Sequence, residues 1–262
     1  MTVVAVGVVV ALLVGGGVAY LITSGPGPVP RISPAARSLL RSSLAAARAK
    51  GSFHYVSRFT QQGVTQTTIG DAGETSGRQV ITLGPETFTV LVVGPACYIE
   101  GNAGALADQL GLPSTVAAGH AGQWISLAPA DVPYQSVYAA VTTRSALADN
   151  IDIAPHRRLG PTVQGGRRVI GVTGPMTDIS VGGQTQKAKG TAYLYMTASG
   201  HHLPVLYSER GTVGGHRTVA AITFSDWGAP VVVTAPAGAV PFSSLGPVTV
   251  PTPTGNPSLV SA

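Results

Sequence analysis

Charge is scarce in this chain. Only 10% of its 262 residues are Asp, Glu, Lys or Arg, against 34 Gly and 20 Pro. Few helix-supporting charges and many turn-formers disfavour a helical bundle and favour short strands joined by turns. One cysteine, Cys97, excludes a disulfide framework within one chain, and in the strand-like run Cys97-Tyr98-Ile99 it reads as a small buried hydrophobe. Aromatics make up 6% and are not interleaved with the basic residues, so the net charge of +5 does not describe a nucleic-acid groove. Also missing are a G-x-S-x-G elbow, an H-E-x-x-H helix, a Walker-type loop and paired cysteines, the patterns that carry common hydrolytic, phosphoryl-transfer and metal chemistry. His54, His120, His156 and His216 fall on separate elements. His201 and His202 are neighbours, and adjacent side chains on a strand point to opposite faces. No catalytic residue, metal site or cofactor is implied.

What is present is an apolar run from Val3 to Ile22 without a charge. As a helix it would span roughly 30 Å, the thickness of a bilayer core. Met1 and Thr2 give no basic start and the run is long for a cleaved signal, so residues 1–23 are expected to be an uncleaved signal anchor. No cysteine lies near enough to take an N-terminal lipid. Arg31, Arg37, Arg41, Arg48, Lys50 and Arg58 follow the run, and by the positive-inside rule alone they would hold the remainder in the cytoplasm. A basic tail preceding Met1 would reverse this, and the expectation is an extracytoplasmic, single-pass protein.

Residues 24–34 form a Pro/Gly linker, a semi-rigid stalk, and the domain is placed at 35–245. Ser33-Pro34 is a helix start, with Ala36, Leu40, Leu44 and Ala47 on one face and Arg37, Arg41 and Arg48 in a neighbouring stripe. Strands are expected over 52–60, 64–69, 78–83, 87–93 and 96–100, separated by Gly-containing turns that imply antiparallel neighbours. Phe88, Val90 and Val92 alternate with Thr89, Leu91 and Val93, so both faces of that strand need cover. Residues 102–151 are read as a helical interlude with a short strand at 122–127. Within it Tyr134, Val137, Tyr138 and Val141 recur at helical spacing behind Asp131 and Pro133, and 145–150 add a further helical turn or two. Further strands are expected over 152–156, 167–173, 190–197, 203–210, 217–224 and 230–233. Asp226-Trp227-Gly228 reads as a turn whose Trp closes the core. Residues 246–262, rich in Pro, Thr and Ser, are expected to be a disordered tail.

The successive segments GQWISLAP (122–129), GGRRVIGVTG (165–174), KGTAYLYMTASGHHLPVLYSERG (189–211) and TFSDWGAPVVVTAPAGAV (223–240) resemble the LppX, LprG and LprF group of mycobacterial envelope lipoproteins, within the LolA-like class. The resemblance covers roughly residues 35–245 and is one of order and spacing. It implies an α+β fold: a strongly curved antiparallel sheet of about 10–11 strands, a half-barrel, with helices on its concave face and an apolar cavity for acyl chains between them. Those relatives are usually anchored through a lipobox cysteine, which this chain replaces with a hydrophobic span.

Each acyl methylene taken out of water gains about 0.8 kcal/mol, so an apolar hollow with a polar mouth needs no catalytic group to compete for lipid. The candidate lining is Leu40, Leu44, Val90, Val92, Tyr134, Val137, Tyr138, Leu194 and Leu206. Arg37, Arg41 and Arg48 are the candidate headgroup or membrane-surface contacts. The expected function is a membrane-anchored domain that binds an acylated lipid or glycolipid and helps to move or present it in the envelope, with an envelope partner left unspecified. The alternative is an interaction domain whose helices fill the half-barrel and whose surface serves a protein partner.

Overall fold

The computed structural model describes residues 33–139, 141–143, 146–147, 151–181 and 184–246. The apolar run Val3–Ile22 expected to be an anchor, most of the expected linker at 24–34 and nearly all of the expected tail at 246–262 lie outside them. Among the described residues no helix is long and apolar enough to cross a membrane.

Chain order is α1 (Pro34–Ala49), β1 (Phe53–Gln61), β2 (Val64–Ala72), β3 (Ser76–Leu83), β4 (Glu86–Val93), β5 (Ala96–Gly101), α2 (Ala103–Leu110), α3 (Ser114–Gly119), β6 (Ile125–Leu127), α4 (Tyr134–Ala139), β7 (Arg157–Gln164), β8 (Arg167–Pro175), β9 (Ile179–Val181), β10 (Gln184–Gln186), β11 (Ala188–Thr197), β12 (Pro204–Val213), β13 (His216–Ser225) and β14 (Val240–Pro241). Twelve strands make one sheet in the order β14-β6-β5-β4-β3-β2-β1-β13-β12-β11-β8-β7, open at both edges, while β9 and β10 form a separate hairpin. Only β14, alongside β6, runs parallel to its neighbour in the large sheet.

Register fixes which side chains share a face. Phe53 pairs with Ala72, Ala72 with Gly77, Gly77 with Val92, Val92 with Cys97 and Cys97 with Leu127. In the other direction Tyr55 pairs with Phe224, Ile222 with Tyr207, Tyr207 with Leu194 and Leu194 with Val172. These residues therefore lie on one inner face, and all of them are buried. The outer face carries His54, Asp71, Arg78 and Leu91 in another transverse row.

Two apolar clusters divide the inner face. One joins Phe88, Val90, Val92, Ile99 and Ile125 to Leu106 and Leu110 of α2 and to Tyr134 and Val137 of α4. The other joins Phe53, Phe224, Ile170, Val172, Leu194 and Met196 to Ala36, Leu39 and Ala47 of α1. Between them lies a polar seam of Ser57, Thr68 and Gln79, all buried, where the Tyr55 hydroxyl donates to Gln79 Oε1 at 2.9 Å. Twelve strands at about 4.8 Å spacing are nearly 60 Å wide, and each helix covers only about 10–12 Å. Burial of both halves under so few helices is accounted for by a sheet that bends around its cover. Two inner-face glycines allow close approach: a Cβ on Gly70 would sit 2.4 Å from the Tyr55 ring, and one on Gly77 would sit 2.6 Å from Val141.

Five strand expectations from β1 to β5 agree to within a few residues, as do β8 and β11–β13. Two do not. Residues 152–156 and 230–233 have no regular secondary structure and join no ladder, while β7, with its Gly160-Pro161 interruption and exposed side chains, is a strand that alternation does not reveal. The large sheet has twelve strands rather than ten or eleven. Ser33 caps α1, accepting from the Ala36 amide at 3.4 Å. Its buried face is Ala36, Leu39, Ser43 and Ala47, with Leu40 and Leu44 on the margin. Asp131 lies before α4 but accepts from the Ala128 amide at 2.6 Å, closing a turn instead of capping the helix. Of the helical turn expected over 145–150, only 146 and 147 are described, and they are helical.

Candidate functional site

The nine expected lining residues divide by position. Val90 and Val92 lie on the inner face of β4, where Tyr134 and Val137 of α4 cover them in one buried cluster, with Tyr138 packed at its edge. Tyr134 and Tyr138 stack at 5.5 Å between centroids, and the Tyr134 hydroxyl donates to the Pro95 carbonyl at 2.7 Å. Burial raises the Tyr134 phenol above its ordinary value. Leu194, fully buried, belongs to the second cluster, against which Leu40 and Leu44 pack. Leu206 is misplaced by the sequence reading. It pairs with Tyr195 in register and so lies on the outer face, opposite Leu194. The chain enters β12 one residue later than expected, and a bulge at Tyr195/Met196 resets the alternation. Arg37, Arg41 and Arg48 are exposed along α1.

Eight of the nine are thus on the inner side, but in two groups. They close on one another and on their neighbours. Two open surface hollows occur among the described residues, and none of the nine lines either.

The two covers of the inner face differ in quality. Over β3–β6, Leu106 and Leu110 are large and fully buried. Over the β8–β11 half, α1 presents mainly small groups: Ala36, Ser43 and Ala47 at 0% exposure, and one large side chain, Leu39, at 8%. The Ser43 hydroxyl is buried there without a hydrogen-bond partner among the described residues, an arrangement that costs about 1–3 kcal/mol.

Beneath the same half is a polar group that the sequence reading overlooked. Glu209 lies on the inner face, in register with Ala192 and Ala220. Its Oε2 accepts from the Tyr207 hydroxyl at 2.9 Å, and the same hydroxyl lies 2.8 Å from the Asp152 carbonyl. Burial raises the Glu209 carboxyl above the usual carboxylate range; the bond from Tyr207 pulls it back and the Asp152 charge pushes it up further. Tyr207 is raised strongly, first by burial and then by Glu209. Position gave a signal: Glu209 shares the alternation of Tyr207 and Val213. Cys97 is fully buried, its thiol pushed up to about 12 by burial, which leaves it unreactive in the folded state. No group of three or more metal-ligating side chains occurs among the described residues.

One hollow, of about 540 Å³, lies on the outer face beneath the segment that leads from β13 to β14. That strap is pegged where Ser52 Oγ donates to the Ala229 carbonyl at 2.6 Å, where Ser76 Oγ donates to the Val231 carbonyl at 3.4 Å, and where the Val240 amide donates to the Trp124 carbonyl at 2.8 Å. Trp227, at its start, packs inward, stacked on Phe53 at 4.9 Å with its indole N–H donating to the Pro204 carbonyl at 3.1 Å. The core-closing role expected of Trp227 is its observed one. The strap also supplies the outer cover that Leu91 requires, since Leu91 is 8% exposed and shares this hollow's wall with Val231 and Val233.

No family model matches the sequence, and no curated protein matches it. Solved structures similar in shape include the lipoprotein LppX of Mycobacterium tuberculosis, with 17% identity over 77% of this chain and 100% of that one and a TM-score of 0.45. An uncharacterised conserved protein of Thermus thermophilus is similar at 10% identity over 79% of this chain and 98% of that one, TM-score 0.39. MucB is similar at 18% identity over 78% of this chain and 64% of that one, TM-score 0.36.

Proposed function

We propose that this chain is a membrane-tethered, extracytoplasmic lipid-binding domain in which α1 is the movable cover of an acyl-chain site on the inner face of β8–β13. The observation that carries the reading is the weak docking of α1 over a strongly apolar sheet. Its buried face holds Leu39, two alanines and an unpartnered Ser43 hydroxyl, with Leu40 and Leu44 half in. By apolar area, that docking is worth on the order of 5 kcal/mol, whereas ten acyl methylenes are worth about 8 kcal/mol. An acyl chain lying along Ile170, Val172, Leu194 and Met196 can therefore replace the helix. α1 directly follows the linker from the apolar run, so displacing it moves the segment nearest the membrane. Arg37, Arg41 and Arg48 are free to meet anionic headgroups there.

A second reading, an envelope interaction domain with a filled core, is favoured by the other half of the sheet, where Val92, Cys97, Leu106 and Ile125 are 0% exposed under well-fitted helices. One experiment separates the two. The full chain in membranes is exposed to a long-chain fatty acid carrying a diazirine, irradiated, and mapped by peptide mass spectrometry. Crosslinks on residues 39–47 and 170–196 support the lipid site. Label confined to residues 1–32, or absent, favours the interaction domain.

A further inference from the structure

The outer-face hollow is separate from the acyl site and does not depend on it. Its floor is the register row His54, Asp71, Arg78 and Leu91, its roof is the strap at 229–234, and Trp124 and Asp226 complete the wall. At about 540 Å³ it falls within the size range of small-molecule sites. Its chemistry is mixed in a particular way. His54 Nδ1 and Asp71 Oδ1 are 2.7 Å apart, which leaves the second Asp71 oxygen open. Asp226 Oδ2 accepts from Ser225 Oγ at 2.9 Å, which leaves its other oxygen open. The Arg78 guanidinium makes no ion pair or side-chain hydrogen bond with any described residue. Half-buried Trp124 adds an indole, and Leu91, Val231 and Val233 add aliphatic surface.

Charges of both signs face one small space, two carboxylates (Asp71 and Asp226) against one guanidinium (Arg78), so a ligand carrying a single charge satisfies one sign and leaves the other unmatched. A neutral polyol uses all of them. Its hydroxyls donate to carboxylates and accept from guanidinium and imidazole, and the C–H face of a sugar ring lies on an indole. We infer that the outer groove between the strap and the His54–Asp71–Arg78 row is a binding site for a short neutral glycan. The glycan belongs either to a lipid headgroup or to a wall polysaccharide, which share this chemistry.

Trp124 and Trp227 are the only two tryptophans in the chain, which provides the test. The full chain in phosphatidylcholine nanodiscs is titrated with mannotriose, maltotriose and arabinotriose, with octanoate and inorganic phosphate as anionic controls, and followed by tryptophan emission and calorimetry. A saturable response to at least one trisaccharide is expected, with little response to either anion. Trp124→Phe abolishes the emission change while Trp227 emission stays as in the parent, which reports an intact core. Arg78→Gln and Asp71→Asn each weaken calorimetric binding at least tenfold. Vesicles bearing a neutral glycolipid whose headgroup is the responding trisaccharide that bind more than tenfold tighter than the free sugar identify a headgroup source; equal affinity identifies a polysaccharide source. No saturable heat with any trisaccharide, preference for octanoate or phosphate, or binding unchanged in all three variants would overturn the site.

Discussion

Replacing Ser43 by alanine should make the protein more stable and a poorer lipid binder. Ser43 sits at 0% exposure on the sheet-facing side of α1, and its hydroxyl has no partner among the described residues, whereas neighbouring Ser42 Oγ donates to the Leu39 carbonyl at 2.9 Å. Removing a buried, unsatisfied hydroxyl recovers about 1–3 kcal/mol of desolvation cost. Alanine adds about 0.5 kcal/mol of helix propensity over serine. For a domain of this size each kcal/mol moves Tm by about 2–4 °C, so Ser43→Ala should melt roughly 3–14 °C higher and shift the urea midpoint upward at unchanged slope. If α1 must leave the sheet to admit an acyl chain, the same variant should take up a fluorescent fatty acid about tenfold more weakly, because the added docking energy opposes displacement. A fall in Tm would refute the reasoning, since it would mean that the hydroxyl is satisfied in solution. A higher Tm with undiminished uptake would separate α1 from the binding step.

Gly70→Ala should cost about 2–4 kcal/mol in urea unfolding, because its Cβ lands 2.4 Å from the Tyr55 ring and must break the Tyr55–Gln79 bond in a packed layer. Glu209 has a folded pKa raised by burial above its ordinary value of 4.5, so between those two values the native state holds the extra proton. Its contribution is present at acid pH and lost as pH rises through the raised value. Glu209→Gln should therefore flatten that loss and be more stable than the parent at neutral pH, a difference that chemical denaturation from pH 4 to 8 would show. Cys97, raised to about 12, should resist iodoacetamide at pH 8 until denaturant unfolds the domain, and labelling before the unfolding transition would contradict its burial.

Sequence alternation revealed the strands whose two faces differ in polarity. β1 to β3, β5 and β11 to β13 carry apolar residues inward against helices, and glycine turns punctuate them, so period and boundaries both read through; β4, apolar on both faces, was marked by its flanking glycine turns instead. β7 failed that test because it is an edge strand with almost every side chain in water, leaving no contrast for alternation to display. Residues 230–233 failed in the opposite sense: three consecutive valines look like a strand, but they serve as an outer strap, and hydrogen-bond pairing is not written in hydrophobicity. Eight of the nine residues expected to line a cavity were legible as apolar inner-side positions, yet Leu206 fell on the wrong face once a bulge shifted the register. The outer groove was invisible for a different reason. His54, Asp71 and Arg78 come from three strands and Trp124 from the approach to a fourth, and only the ladder registers bring them to one wall.

Lipid binding at the proposed site requires α1 to part from the sheet when an acyl chain arrives. The inertness expected of Cys97 makes a spin-label pair practicable at introduced cysteines: Ser38→Cys on the exposed side of α1 and Thr223→Cys on the exposed side of β13. Pulsed electron-spin distances on the full chain in nanodiscs, before and after addition of a long-chain fatty acid, should show a second, longer population that grows with ligand and is suppressed by Ser43→Ala. A single unchanged distance at saturating fatty acid would contradict a movable α1.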